Sequence, residues 1–111
     1  MQESHFQQLK PSITRFLITK HFKREAKDAA LSIAVDILNS RNTAFEELHK
    51  FEGRLGGNWV FRAKLKGRHV VYAVTSDKQL ILLRYFKNFK DYKRFLEDKQ
   101  LILRTITNAK V

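Results

Sequence analysis

Between Trp59 and Tyr85 three short apolar segments follow one another: Trp59-Val-Phe-Arg-Ala-Lys-Leu-Lys, Arg68-His-Val-Val-Tyr-Ala-Val-Thr and Gln79-Leu-Ile-Leu-Leu-Arg-Tyr. Only Gly67 and Ser76-Asp77-Lys78 separate them. Read as strands with a tight turn at Lys66-Gly67, they form a meander. In the first strand Trp59, Phe61, Ala63 and Leu65 alternate with Val60, Arg62, Lys64 and Lys66, so one face is apolar and the other basic. In the second, Val70, Tyr72 and Val74 join the apolar side. His69, Val71 and Ala73 then point with the basic set, which brings His69 across from Arg62 or Lys64. The third segment is nearly all apolar and is expected to be central or covered on both faces. No acidic residue occurs between Glu52 and Asp77, so Arg62, Lys64, Arg68 and His69 are expected to share an acid-free basic surface.

The chain around this meander has 111 residues, enough for a single domain over 1–111 with one core. Its 43% hydrophobic and 30% charged residues are those of a folded chain, not a disordered one. The 22 Lys and Arg against 11 Asp and Glu give a net charge of +11, which points to a polyanionic partner. Nucleic acid leads, although an anionic membrane surface or an acidic protein answers the same charge. With no cysteine there is no disulfide framework, thiol nucleophile or cysteine zinc site. The N-terminal residues do not read as a signal peptide, and no apolar run approaches the roughly 20 residues of a membrane helix. A cytoplasmic protein without a membrane partner is expected.

Residues 1–11 are polar and end at the only proline, the pattern of a mobile arm or a short extra helix. Ile13 to Thr19 suits a first strand, with Thr19 as the cap of a helix after it. From Lys20 to Asn39, Phe22, Ala26, Ala29, Ile33 and Ile37 recur at spacings of four and three, which predicts one long helix. Its Ala29–Leu38 half is apolar around most of its circumference and is expected to meet more than one surface, either a neighbouring helix or a partner chain. Asn39 to Asn42 should stop that helix. Thr43 and Glu46 have the form of a capping box for a short helix to about Lys50, with Phe45 and Leu48 inward, and a loop at Gly53, Gly56 and Gly57 leads to Trp59. Asn88 offers a cap for a helix to about Lys99, with Phe89, Tyr92, Phe95 and Leu96 inward and Lys90, Lys93 and Arg94 outward. Residues 100–111 form a C-terminal extension whose Leu101–Thr107 segment is expected to be an edge strand. The fold class is α+β: a small antiparallel sheet of about four strands, with a long and a short N-terminal helix and a C-terminal helix packed on it.

The usual catalytic fingerprints are absent: no phosphate loop, dinucleotide turn, His-Glu-x-x-His or Gly-x-Ser-x-Gly. His5, His21, His49 and His69 are scattered, so neither a metal site nor a cofactor is expected. Cations with a histidine suit the cleavage of RNA by its own 2′-hydroxyl. A base removes the hydroxyl proton, the oxygen attacks phosphorus in line, an acid protonates the leaving 5′-oxygen, and guanidinium or ammonium groups hold the added charge.

Several segments carry a resemblance: the Phe22-Lys-Arg-Glu-Ala-Lys27 helix start, Leu48-His-Lys-Phe-Glu-Gly53-Arg-Leu-Gly-Gly, Trp59-Val-Phe-Arg-Ala-Lys-Leu, Arg68-His-Val-Val-Tyr72 and Lys90-Asp-Tyr92. Over roughly residues 13 to 96 the chain resembles the RelE/ParE toxin superfamily of type II toxin–antitoxin systems, and within it the RelE-type mRNA interferases. The resemblance implies an endoribonuclease that works without a metal or cofactor. Such a toxin enters the ribosomal A site, uses its basic surface on mRNA and ribosomal RNA, and is silenced by a cognate antitoxin, for which Ala29–Leu38 is a plausible contact. Arg62 and Lys64 fall on the family's two basic positions at the scissile phosphate. The family arginine falls on His69 when the tyrosines are aligned, with Arg68 one place earlier, so either Arg68 supplies the charge or His69 takes a proton-transfer role. Tyr92 matches the tyrosine that contacts the substrate base. Asn88 stands where a basic residue is often found, a charge that Lys87, Lys90 or Arg84 could replace. Arg54, Lys66, Arg84, Lys87 and Lys90 make up the expected RNA-binding set. A ParE-like inhibitor of DNA gyrase and a noncatalytic RNA-binding module are the competing readings.

Overall fold

The structure, a computed structural model, describes residues 5–39 and 45–110. Five strands form one sheet in the order β1-β5-β4-β3-β2, with β1 Arg15–Ile18, β2 Phe45–Leu55, β3 Asn58–Leu65, β4 Arg68–Val74 and β5 Gln79–Phe86. Strands β2 to β5 make an antiparallel meander, and β1 pairs in parallel with β5, so the sheet is mixed and has five strands where about four antiparallel ones were expected. The α+β class stands.

The meander is the part that local chemistry specifies most directly. Lys66-Gly67 joins β3 to β4 with positive φ at both residues (49° and 78°), which matches the right-handed strand twist in a two-residue hairpin. Alternation along β3 and β4 sends Phe61, Ala63, Val70, Tyr72 and Val74 to one face, while Val60, Val71 and Ala73 go to the other. Both faces are covered. The helices α1 (His5–Leu9), α2 (Lys20–Ala26) and α3 (Ala30–Asn39) lie on the first face, and α4 (Phe89–Glu97) and α5 (Lys99–Ala109) on the second. The basic face of β3 is therefore not an open sheet surface, because its inner part is sealed by Tyr92, Phe95, Ile102 and Ile106. Strand β5 lies between β1 and β4, and its Leu80–Leu83 run is fully buried.

Three further elements differ from expectation. The segment Phe45–Leu55 is a strand, not a short helix and loop, and only Gly56-Gly57 remains as the hairpin turn to β3. Both glycines have positive φ (57° and 82°), and a Cβ on Gly56 would come within 2.7 Å of the Leu103 side chain. The tail is a helix, α5, with Asp98 accepting from the Leu101 N–H at 3.0 Å and Ile102 and Ile106 buried one turn apart. The long helix is broken by a 3-10 turn at Lys27–Ala29, with Lys27 at φ 53°. Its second half buries Ile33, Ala34 and Ile37 on one side while Leu31 and Val35 are exposed, so it packs on one surface and not between two. Of the two alternatives for the N-terminal segment, the described residues form the short extra helix, α1, and Phe6 is fully buried.

Ser40 to Ala44 lie outside the described residues, and with them most of the expected helix stop and Thr43 of the expected capping box. Two caps form as the sequence predicts. Thr19 accepts from the Phe22 N–H at 3.0 Å, and Asn88 accepts from the Lys90 N–H at 2.8 Å.

Candidate functional site

Arg62 and Lys64 emerge from β3 toward the face that carries α4, at the side where β2 runs alongside. They are not free of acids. Arg62 donates through Nη1 to Glu47 at 2.6 Å and through Nε to Glu52, and Lys64 pairs with Glu46 at 3.3 Å. The acid-free surface expected from the linear sequence is thus contradicted, because the sheet sets an acidic strand beside the basic one. Burial works against the Arg62 charge, but hydrogen bonds to Glu52 and Glu47 outweigh it and raise its pKa. Burial also acts on Glu47 in the upward sense, yet its bond to Arg62, helped by Lys50 and Lys64, holds its carboxyl below the usual range.

His69 lies directly across from Lys64 in the β3–β4 register. Its ring stacks on Tyr92 with centroids 4.3 Å apart and planes 13° from parallel, and Phe89 meets it edge-on at 5.6 Å. Nδ1 is buried with no hydrogen-bond partner. An unpaired acceptor there costs less than an unpaired N–H, so the tautomer with its proton on Nε2 is favoured. Burial, with Lys64 and Arg62 adding to it, lowers the His69 pKa and keeps the ring neutral. Tyr92, 4% exposed, has its phenol pushed up to about 12 by burial, against the pull of Arg62. It is both a packed residue of the α4 core and part of the site.

These side chains line one open cavity of about 600 Å³, which takes in Glu47, Glu52, Arg62, Lys64, His69 and Tyr92, with Phe89 and Lys93 at the α4 side. Arg68 is not among its lining residues, since alternation places it on the opposite face of β4 from His69. Of the neighbouring Arg68 and His69, His69 is therefore the one at the cavity.

The expected RNA-binding residues do not converge there. Arg54 lies over the Trp59 ring at 4.3 Å and donates to the Gly57 carbonyl. Lys66 is exposed in the β3–β4 turn. Arg84 makes a bidentate pair with Glu25, at 2.6 and 3.0 Å, lies over Phe86 at 4.7 Å, and lines the same cleft as Lys87. Lys87 lines a separate cleft with Arg24, Lys27 and Asn88, and Lys90 is exposed in the first turn of α4.

Six residues at the cavity, Glu47, Glu52, Gly67, Phe89, Lys93 and Leu96, are not among those the sequence nominates. Glu47 and Glu52 are concealed by the helix-like pattern of β2. Lys93 faces outward as its helical position predicts, but its place one residue after Tyr92 puts it at the cavity. Phe89, expected inward, is 60% exposed at the mouth. Chemically, the arrangement offers a guanidinium and two ammonium groups for a phosphate, an imidazole–phenol stack at the wall, and an exposed ring on which a base could lie. Among the described residues no group of three or more His, Asp or Glu side chains could hold a metal ion. No helix among them is long and apolar enough to cross a membrane.

No protein-family model and no curated protein matches the chain. Among solved structures, the crystal structure of the archaeal RelE-RelB complex from Pyrococcus horikoshii OT3 aligns with a TM-score of 0.48 and 18% identity, covering 68% of this chain and 93% of that one.

Proposed function

We propose that this chain is the toxin of a type II toxin–antitoxin system, a RelE-like endoribonuclease that cuts mRNA in the ribosomal A site and is held inactive by a cognate antitoxin. The observation that carries the reading is the single cavity that gathers Arg62, Lys64, His69 and Tyr92, the residues on which the sequence resemblance places the family's chemistry. In the reaction the 2′-oxygen forms a bond to phosphorus, the bond to the 5′-oxygen breaks, and the products are a 2′,3′-cyclic phosphate and a 5′-hydroxyl. The proton leaves the 2′-hydroxyl for a base and another reaches the 5′-oxygen from an acid. Arg62 and Lys64 would carry the charge that builds on the phosphorane. Neutral His69, its ring held by stacking on Tyr92, would donate a hydrogen bond from Nε2 to a phosphate oxygen, and the exposed Phe89 ring would stack on a base beside the cut.

The phosphate has to compete with Glu46, Glu47 and Glu52 for the two cations. That competition favours one further reading, a noncatalytic RNA-binding module in which the pairs are permanent. One experiment separates the two. Purified protein is added to ribosomes translating a defined mRNA, and cleavage is mapped beside binding for Arg62→Ala, Lys64→Ala, His69→Ala and Tyr92→Phe. Cuts within codons that need translation, reduced about 10²–10³-fold by Arg62→Ala, are expected from the loss of one charged donor. Intact transcripts together with salt-dependent binding would establish the module.

A further inference from the structure

A second cavity of about 540 Å³ opens between α2 and α5, over the end of β1, on the side of the α4–α5 layer away from β2. Lys20 and Lys23 from α2 and Arg104 from α5 line it, all exposed, and no carboxylate is among its described lining residues. Arg62, Lys64 and Arg84 each have a carboxylate partner, whereas among the described residues none of these three cations does. Their charge is available to a ligand. The cavity also has an apolar part, from Ile18, Leu101 and Ala109, with Thr105 and Asn108 as neutral polar groups. A size within the ordinary range of small-ligand sites and a mixed lining fit a nucleotide better than a flat anionic surface, which would meet exposed cations without a concavity.

We propose that this cavity seats one nucleotide of a single-stranded nucleic acid, with its phosphate on Lys20, Lys23 and Arg104 and its base against Ile18, Leu101 and Ala109. The site binds strand and does not cut it, so it stands whether or not the Arg62 cavity is catalytic. Its contribution is anchorage: a strand held here is gripped by uncompensated cations, where the first cavity must release its ion pairs.

The test is fluorescence anisotropy with a labelled 2′-O-methyl oligoribonucleotide, which 2′-hydroxyl chemistry cannot cleave, and a DNA strand of the same length, each titrated across a range of salt. Lys23→Gln/Arg104→Gln is expected to weaken binding at least tenfold and to flatten the slope of log K against log salt by about 1.4, two phosphate contacts at about 0.7 each. Lys27→Gln/Lys99→Gln removes the same charge away from the cavity and should change the slope by less than half as much. Ala109→Phe fills the cavity without altering charge and should weaken binding with the slope kept. Circular dichroism melts verify that each variant is folded. Equal losses in the two double variants, or full binding by folded Ala109→Phe, would overturn the proposal. Similar losses for both strands would mean that the phosphate and base are read and the 2′ position is not.

Discussion

His49 sits on the opposite face of the sheet from the candidate site, and Phe6, Tyr72 and Lys10 bear on its chemistry. Phe6 stacks on its ring with centroids 3.7 Å apart, and the Tyr72 hydroxyl lies 2.8 Å from both its backbone nitrogen and its Nδ1. The backbone N–H donates to the Tyr72 oxygen, so the hydroxyl proton is directed to Nδ1, and the ring is held neutral as an acceptor. Burial, with Lys10 adding to it, lowers the His49 pKa to about 3. Below the ordinary value of 6.5 the unfolded chain takes up a proton that the folded chain refuses. Stability from this group is therefore fully present above pH 6.5 and is lost as pH falls toward 3. His69, also lowered, acts in the same sense. Urea unfolding should show a loss of about 2 kcal/mol between pH 7 and pH 5, before most carboxylates titrate. His49→Gln should remove most of that slope, whatever it does to absolute stability, and a wild-type curve flat over this range would contradict the assignment.

At the level of elements, α1 is short and has little helix stability of its own, so what holds it is Phe6, fully buried against His49, Phe61 and Tyr72. Phe6→Ala should cost about 3–5 kcal/mol in chemical denaturation, whereas an arm that makes no contacts would lose less than about 0.5. The same kind of long-range contact explains which elements are legible in the sequence. The β3–β4 hairpin is, because alternation, turn and burial all operate within the 17 residues from Asn58 to Val74. Strand β2 is not. Its pairing with β3 shifts register at three places and His49 takes φ 60°, so its period of two is lost. What remains, Phe45 and Leu48 three apart behind Thr43 and Glu46, imitates the start of a helix. Helix α5 is illegible for another reason. Its Ile and Thr residues favour strands only weakly, and burial of Ile102 and Ile106 against β5 and α4 overrides that preference. Because β2 supplies Glu47 and Glu52, one strand that resembles a helix in sequence also conceals the acidic half of the candidate site.

Across the whole molecule the net charge of +11 is unevenly available. The two cations nominated for phosphate are balanced by β2, while the cations of the α2–α5 cavity and the outer side of α4 have no such partner among the described residues. Net charge alone therefore overstates the field at the Arg62 cavity. For a polyanion to enter it, phosphate oxygens must replace three carboxylates, an exchange of partners for Arg62 and Lys64 rather than the rescue of bare charges. The carboxylates act as an internal competitor, and their removal should favour the ligand. The triple variant Glu46→Gln/Glu47→Gln/Glu52→Gln keeps side-chain volume while freeing both cations. It is expected to bind single-stranded RNA about tenfold or more tightly at low salt, and to steepen the dependence on salt by about 1.4 in log K against log salt, as two further phosphate contacts form. Arg62→Ala added to the triple variant should reverse about half of that steepening. A folded triple variant whose affinity and salt slope match the parent would show that Arg62 and Lys64 do not meet the strand.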